Sequence, residues 1–182
     1  MKTLTQYSPC RARWLAKPIG SGAYRQWLVT AGSLTRRLQA SARSFSVTHV
    51  RQHLGRLQPD EAVVLDMRRQ HQALLREVCL CCNGRPVVYA HSVLPRHSLH
   101  GAWRDLAHLG SRPLGAALFA QAGVMRTQLT YRKLRPGHPL YQRAVSLLKL
   151  TSPMLWARRS VFMLQGAPIL VTEVFLPDVL EL

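Results

Sequence analysis

Gly-Ala-Pro-Ile-Leu-Val-Thr-Glu-Val-Phe-Leu-Pro, residues 166–177, is the stretch whose reading decides the fold. β-branched and large apolar residues follow a glycine-containing turn and stop at Pro177, which predicts a strand. Its side chains alternate between two faces. Ile169, Val171, Glu173 and Phe175 share one face; Leu170, Thr172, Val174 and Leu176 share the other. Both faces are apolar, so the strand should be covered on both sides, with Glu173 inside. A buried carboxylate must be neutral, paired or turned toward a cavity. Glu173 is thus either half of a structural ion pair or a site residue.

A second stretch, Gln72–Cys82, repeats the puzzle with the opposite charge. One face carries Leu74, Arg76, Val78, Leu80 and Cys82, and the other Leu75, Glu77, Cys79 and Cys81. An arginine among aliphatic residues either pairs structurally or holds an anion in a dry pocket. Glu77 lies on the wrong face to be its partner. Asn83-Gly84 follows, a strong hairpin signal, and the return strand runs over 86–94.

Outward from these strands, Ser21 to Ala31 has helical spacing at Tyr24, Trp27 and Leu28, ended by Gly32. Ser33 reads as the N-cap of a short helix carrying Leu34 and Leu38, whose first free N–H groups could seat a carboxylate. Residues 44–51 alternate as a strand, with Phe45, Val47 and His49 on one side. Gln58–Glu61 reads as a turn before the apolar run 62–65. Residues 97–110 hold helical spacing at Trp103, Leu106 and Ala107. Pro113 suits the first turn of a helix beginning at Leu114. Residues 123–134 read as one long half-exposed strand, 141–150 as a short helix, and 156–164 as a strand turned by Gln165-Gly166 into the Glu173 strand. About six strands joined mostly by hairpins, with short helices, predict a single α+β domain on a largely antiparallel six-stranded sheet. Residues 1–20 read as an irregular lead-in and 21–182 as the domain.

Composition narrows the function. The 182 residues are 47% hydrophobic, enough for a globular core. Lys and Arg number 25 against 8 acids, a formal net charge of +17, which favours an anionic partner. No basic run exceeds two residues and no aromatic-interleaved pattern accompanies them, so small anions are favoured over nucleic acid. Cys10, Cys79, Cys81 and Cys82 lack the second CxxC pair of a zinc site and read as free thiols of a cytoplasmic protein. No metal site is expected, and no apolar run reaches membrane-spanning length.

Several segments are similar to the chorismate pyruvate-lyase family: Leu-Trp-Ala-Arg-Arg-Ser at 155–160, the 166–177 strand, Leu75-Arg76-Glu77-Val78 with its Asn-Gly hairpin, Arg112-Pro113-Leu114-Gly115 through Leu118-Phe119, and Ser33-Leu34-Thr35 followed by Ser46-Val47-Thr48. They occur in one order from about residue 21 to 177. The resemblance implies a carbon–oxygen lyase that splits chorismate into 4-hydroxybenzoate and pyruvate at the first committed step toward ubiquinone, without metal or organic cofactor. It implies a monomer in the cytoplasm whose ligand lies between sheet and helical flaps. It assigns the ring-carboxylate clamp to Arg76 with the backbone N–H of Leu34, a further contact to Leu114, and the residue near the 4-oxygen to Glu173. Leu34 stands where family members often have methionine, and residues 135–153 look longer than in compact members. The competing expectation is a regulator's aromatic-acid-binding module on the same fold, with the clamp but no turnover.

Overall fold

A computed structural model describes residues 14–68 and 70–182. Most of the expected lead-in, including Cys10, lies outside the described residues. Among the described residues, seven strands form one antiparallel sheet: β1 (Phe45–Arg56), β2 (Gln72–Cys82), β3 (Arg85–Pro95), β4 (Met125–Arg126), β5 (Thr130–Leu134), β6 (Leu155–Leu164) and β7 (Ala167–Phe175). Their spatial order is β1-β2-β3-β7-β6-β4, with β5 also paired to β6. The described helices are α1 (Arg25–Leu28), α2 (Leu34–Ser41), α3 (Pro59–Val64), α4 (Arg96–Leu99), α5 (Leu114–Ala120) and α6 (Pro139–Leu148), with 3-10 turns at 22–24, 104–108 and 177–181.

The two tight hairpins follow from turn chemistry. Asn83-Gly84 and Gln165-Gly166 both take left-handed φ, 52° and 78° in the first and 50° and 78° in the second. That is the backbone twist a two-residue hairpin needs. Ser33 caps α2 as expected, its hydroxyl accepting from the Arg36 N–H at 3.3 Å.

The central strands are buried on both faces. On one face Val78, Leu80, Ala90 and Phe175 pack with Trp27, Leu28, Leu34 and Leu38 of α1 and α2. Ile169 and Phe162 pack on the same side with Leu114 and Leu118 of α5. On the other face Cys79, Tyr89 and Val174 meet Leu140, Tyr141 and Ala144 of α6, while Leu75, Val161 and Leu170 meet Ala62 of α3. Each fully buried Leu or Val adds roughly 1.5–3 kcal/mol, so this three-layer packing supplies the main driving force.

Four local expectations change. Residues 123–134 split into β4 and β5. The Thr127 N–H donates to the Val161 carbonyl at 2.9 Å while the Thr127 hydroxyl accepts from the Val161 N–H at 2.9 Å. A side chain thus replaces a ladder acceptor and lifts the chain off β6, which makes seven strands of six. Gln58–Glu61 is the start of α3 rather than a turn: the Gln58 N–H donates to Glu61 Oε2 at 2.8 Å in a capping box, with Pro59 in the first turn. Residues 97–110 break into α4 and a 3-10 turn at 104–108. The early strand runs on to Arg56, and His49 leaves the alternation because it sits at a bulge with φ 49°.

Candidate functional site

The sheet register builds the site. One row across the sheet reads Val78–Ala90–Glu173–Arg158, and the next reads Arg76–Ser92–Val171–Ser160. Arg76 on β2 and Glu173 on β7 flank β3. Two strand spacings and a two-residue offset put their backbones roughly 12 Å apart. The residues between them are small, Ala90 and Ser92, so the floor dips there. Leu34 and Thr35 of α2 and Leu114, Gly115, Leu118 and Phe119 of α5 close over that dip and leave a small cavity of about 30 Å³ between roof and floor. Arg126, Phe162 and Val171 complete its wall. The four residues singled out in sequence, Leu34, Arg76, Leu114 and Glu173, all line this one cavity. The roof closes where α2 meets α5: a Cβ added at Gly115 would come within 3.1 Å of Thr35 Oγ1, so glycine permits the approach.

Arg76 is 2% exposed. Its Nη2 donates to the carbonyls of Gly110 and Arg112, both at 3.0 Å, which ties the loop before α5 to the sheet. Its Nε is buried with no hydrogen-bond partner, and no carboxylate of the described residues pairs with it. Burial pushes its pKa down from the usual arginine value. A desolvated guanidinium with an unused donor beside a cavity has the chemistry to hold an anion. Leu34 and Leu114 are the first residues of α2 and α5, where backbone N–H groups lack intrahelical acceptors.

Glu173 is paired and also borders the cavity. Its Oε2 accepts from Arg158 Nε at 2.5 Å, across the β6–β7 register. It also borders the cavity, its side chain 15% exposed against 0% for Arg158. Arg158 Nη1 donates to the carbonyls of Trp27, Leu28 and Thr30 at 2.8–3.1 Å. The pair therefore fastens the end of α1 to the sheet and aims one carboxylate into the cavity. The two-residue Gln165-Gly166 turn places 158 opposite 173, so Arg158 could have been found from the hairpin.

Arg126 carried no such signal. Its Nε donates to Ser160 Oγ at 2.8 Å, and its guanidinium lies 5.2 Å from the Phe162 ring and 5.5 Å from Phe119. Burial pushes its pKa down, and the charge of Glu173 opposes that.

With this geometry in view, comparison with known proteins is decisive. A family model described as "Chorismate lyase" matches residues 9–181. The chain belongs to the chorismate lyase family. A "Probable chorismate pyruvate-lyase" of Nitrosomonas eutropha is 48% identical over 170 residues, 93% of this chain and 96% of the relative. One of Methylobacillus flagellatus is 47% identical over 174 residues, 94% and 97% of the two chains. Among solved structures, PhnF from Mycobacterium smegmatis superposes with a TM-score of 0.60 at 20% identity, covering 82% of this chain and 66% of that one. A GntR-family transcriptional regulator from Bacillus cereus gives 0.55 at 11% identity, covering 74% and 92%. These structural likenesses concern the fold alone.

Proposed function

We propose that this protein is a chorismate pyruvate-lyase, releasing 4-hydroxybenzoate and pyruvate. The observation that carries the reading is the convergence of Arg76 and Glu173 on one roofed cavity, separated by a floor of small residues. Arg76 and the Leu34 N–H receive the ring carboxylate. The Leu114 N–H helps hold the ligand under α5. Glu173, held by Arg158, accepts a hydrogen bond from the hydroxyl on C4.

The reaction breaks the C3–O ether bond and the C4–H bond. The electron pair of C4–H enters the ring and completes the aromatic sextet. The ether oxygen leaves with the enolpyruvyl group. The proton ends on that group's methylene carbon, which becomes the methyl of pyruvate. Aromatisation drives the step, so the site's work is to hold one reactive pose and exclude water. The roof of α2 and α5 suits that work and must part for entry and release.

The rest of the reading belongs to the same proposal: residues 21–182 form the working domain, the protein acts as a monomer in the cytoplasm, and its product supplies the ring of ubiquinone. Incubation of purified protein with chorismate should give 4-hydroxybenzoate and pyruvate in equal amounts by mass spectrometry. Turnover no faster than in buffer refutes the assignment.

A further inference from the structure

Chorismate carries two carboxylates, and Arg76 with the Leu34 amide accounts for one. The charged side chains lining the cavity are Arg76, Arg126 and Glu173. Glu173 is offset by Arg158 directly behind it. Two uncompensated guanidinium groups remain, one at each end, with β3, β7 and β6 between their strands. We propose that Arg126 is the seat of the enolpyruvyl carboxylate. This rests on the lyase reading and names a binding residue within it.

Arg126 is built to receive an anion without being needed as a counter-ion. No carboxylate of the described residues lies within ion-pair distance of it. Ser160 holds its Nε, and the Phe119 and Phe162 rings hold the guanidinium in place. Nη1 donates to the Ala31 carbonyl at 2.8 Å and to Gly32 at 3.5 Å, while Nη2 donates to none of the described residues. The flanking rings partly shield the group, which favours a charge-assisted bond there.

Two consequences follow from this position. Arg126 also donates to the turn that leads through Ser33 into Leu34, so the seats of the two carboxylates lie along one connected segment. The Arg126 end is also the open end. Phe119 is 43% exposed and Met125, next to Arg126, is 68% exposed. A pyruvate formed at Arg126 thus leaves from the mouth, while the hydroxybenzoate stays deeper against Arg76. Arg126 is the group that distinguishes the dianionic substrate from the monoanionic aromatic product.

The test compares a dianion with a monoanion. The dianion is 3-(1-carboxyvinyloxy)-4-hydroxybenzoate, already aromatic and so without the drive to eliminate; the monoanion is 4-hydroxybenzoate. Arg126→Gln should weaken binding of the dianion, and raise KM for chorismate, by about 10- to 150-fold, the value of one charge-assisted contact. Binding of 4-hydroxybenzoate should stay within about threefold, whereas Arg76→Gln should weaken both ligands. A purely structural Arg126, acting through the 31–32 turn, would weaken both ligands by the same factor, and that result, or no effect on either, overturns the proposal. If Arg126→Gln does not fold, the wild-type protein still decides. Methyl-esterifying the enolpyruvyl carboxylate of the dianion should cost at least tenfold in Kd, and equal binding of ester and dianion overturns the assignment. Wild-type turnover of chorismate tests the lyase reading separately, since these binding ratios do not depend on catalysis.

Discussion

Replacing Glu173 by glutamine separates its two duties. The carboxylate is the sole acidic partner of Arg158 among the described residues, and Arg158 is fully buried. Removing one partner from a buried ion pair costs ~3–5 kcal/mol. Here the cost should fall at or just below the lower end, about 2–3 kcal/mol. Three backbone carbonyls continue to accept from Arg158 Nη1, and the glutamine oxygen can still accept from Nε. For a chain of this size 1 kcal/mol moves Tm by ~2–4 °C, so Tm should drop roughly 4–12 °C. Loss of a charge-assisted bond to the C4 hydroxyl should lower kcat by about 10- to 150-fold. The double variant Glu173→Gln, Arg158→Met removes the stranded cation but frees the Trp27, Leu28 and Thr30 carbonyls, so it should recover only part of the lost Tm while leaving kcat low. Scanning calorimetry and an assay of 4-hydroxybenzoate release on the three proteins give the answer. A single variant whose Tm lies within one degree of wild type, or a double variant that regains activity, refutes the reasoning.

Arg76→Ala should raise KM for chorismate by about 10- to 150-fold, with a smaller loss of stability from freeing the Gly110 and Arg112 carbonyls; an unchanged KM in steady-state kinetics contradicts the clamp. On the far face of the sheet, His91 is fully buried between Glu61 (Nε2 to Oε1, 3.0 Å) and Glu77 (Nδ1 to Oε1, 3.3 Å), and Arg143 pairs with Glu77 at 2.7 Å. Burial alone would push the imidazole pKa down, but the bonds and charges of the two carboxylates overcome it and lift it to about 9. Burial likewise opposes the charged form of Glu77, and His91 and Arg143 overcome it to hold that carboxyl at about 2. The histidine's contribution is therefore complete below pH 6.5 and lost as pH rises through about 9, and that of Glu77 is present above pH 4.5 and lost as pH falls through about 2. Chemical denaturation across pH 6–10 should show roughly 2–3 kcal/mol of stability disappearing at the alkaline end, and His91→Gln should flatten that slope. Burial, then the neighbouring Cys81, pushes the Cys79 thiol up to about 12, so peptide mapping after iodoacetamide treatment at pH 8 should find it unmodified in native protein and modified in denaturant.

Much of the fold was legible because its signals are local. The 166–177 strand could be read from alternation, its two covered faces from the absence of a polar one, and both hairpins from residues that tolerate left-handed φ. Ser33 announced α2, and the pattern of motifs led to Leu34, Arg76, Leu114 and Glu173 before their cavity was visible. Long-range contacts decided the rest. Thr127 broke a well-patterned strand because its hydroxyl found the Val161 N–H. Whether Glu173 was paired or turned toward a cavity depended on the β6–β7 register and on the gap left by Ala90 and Ser92, and it is both paired and at the cavity wall. Arg126 became a candidate only when β4 docked beside β6 and set its guanidinium between rings from two distant segments. Periodicity reports which way a side chain leaves its own strand; which groups meet across the sheet depends on pairing and burial among segments far apart in the chain.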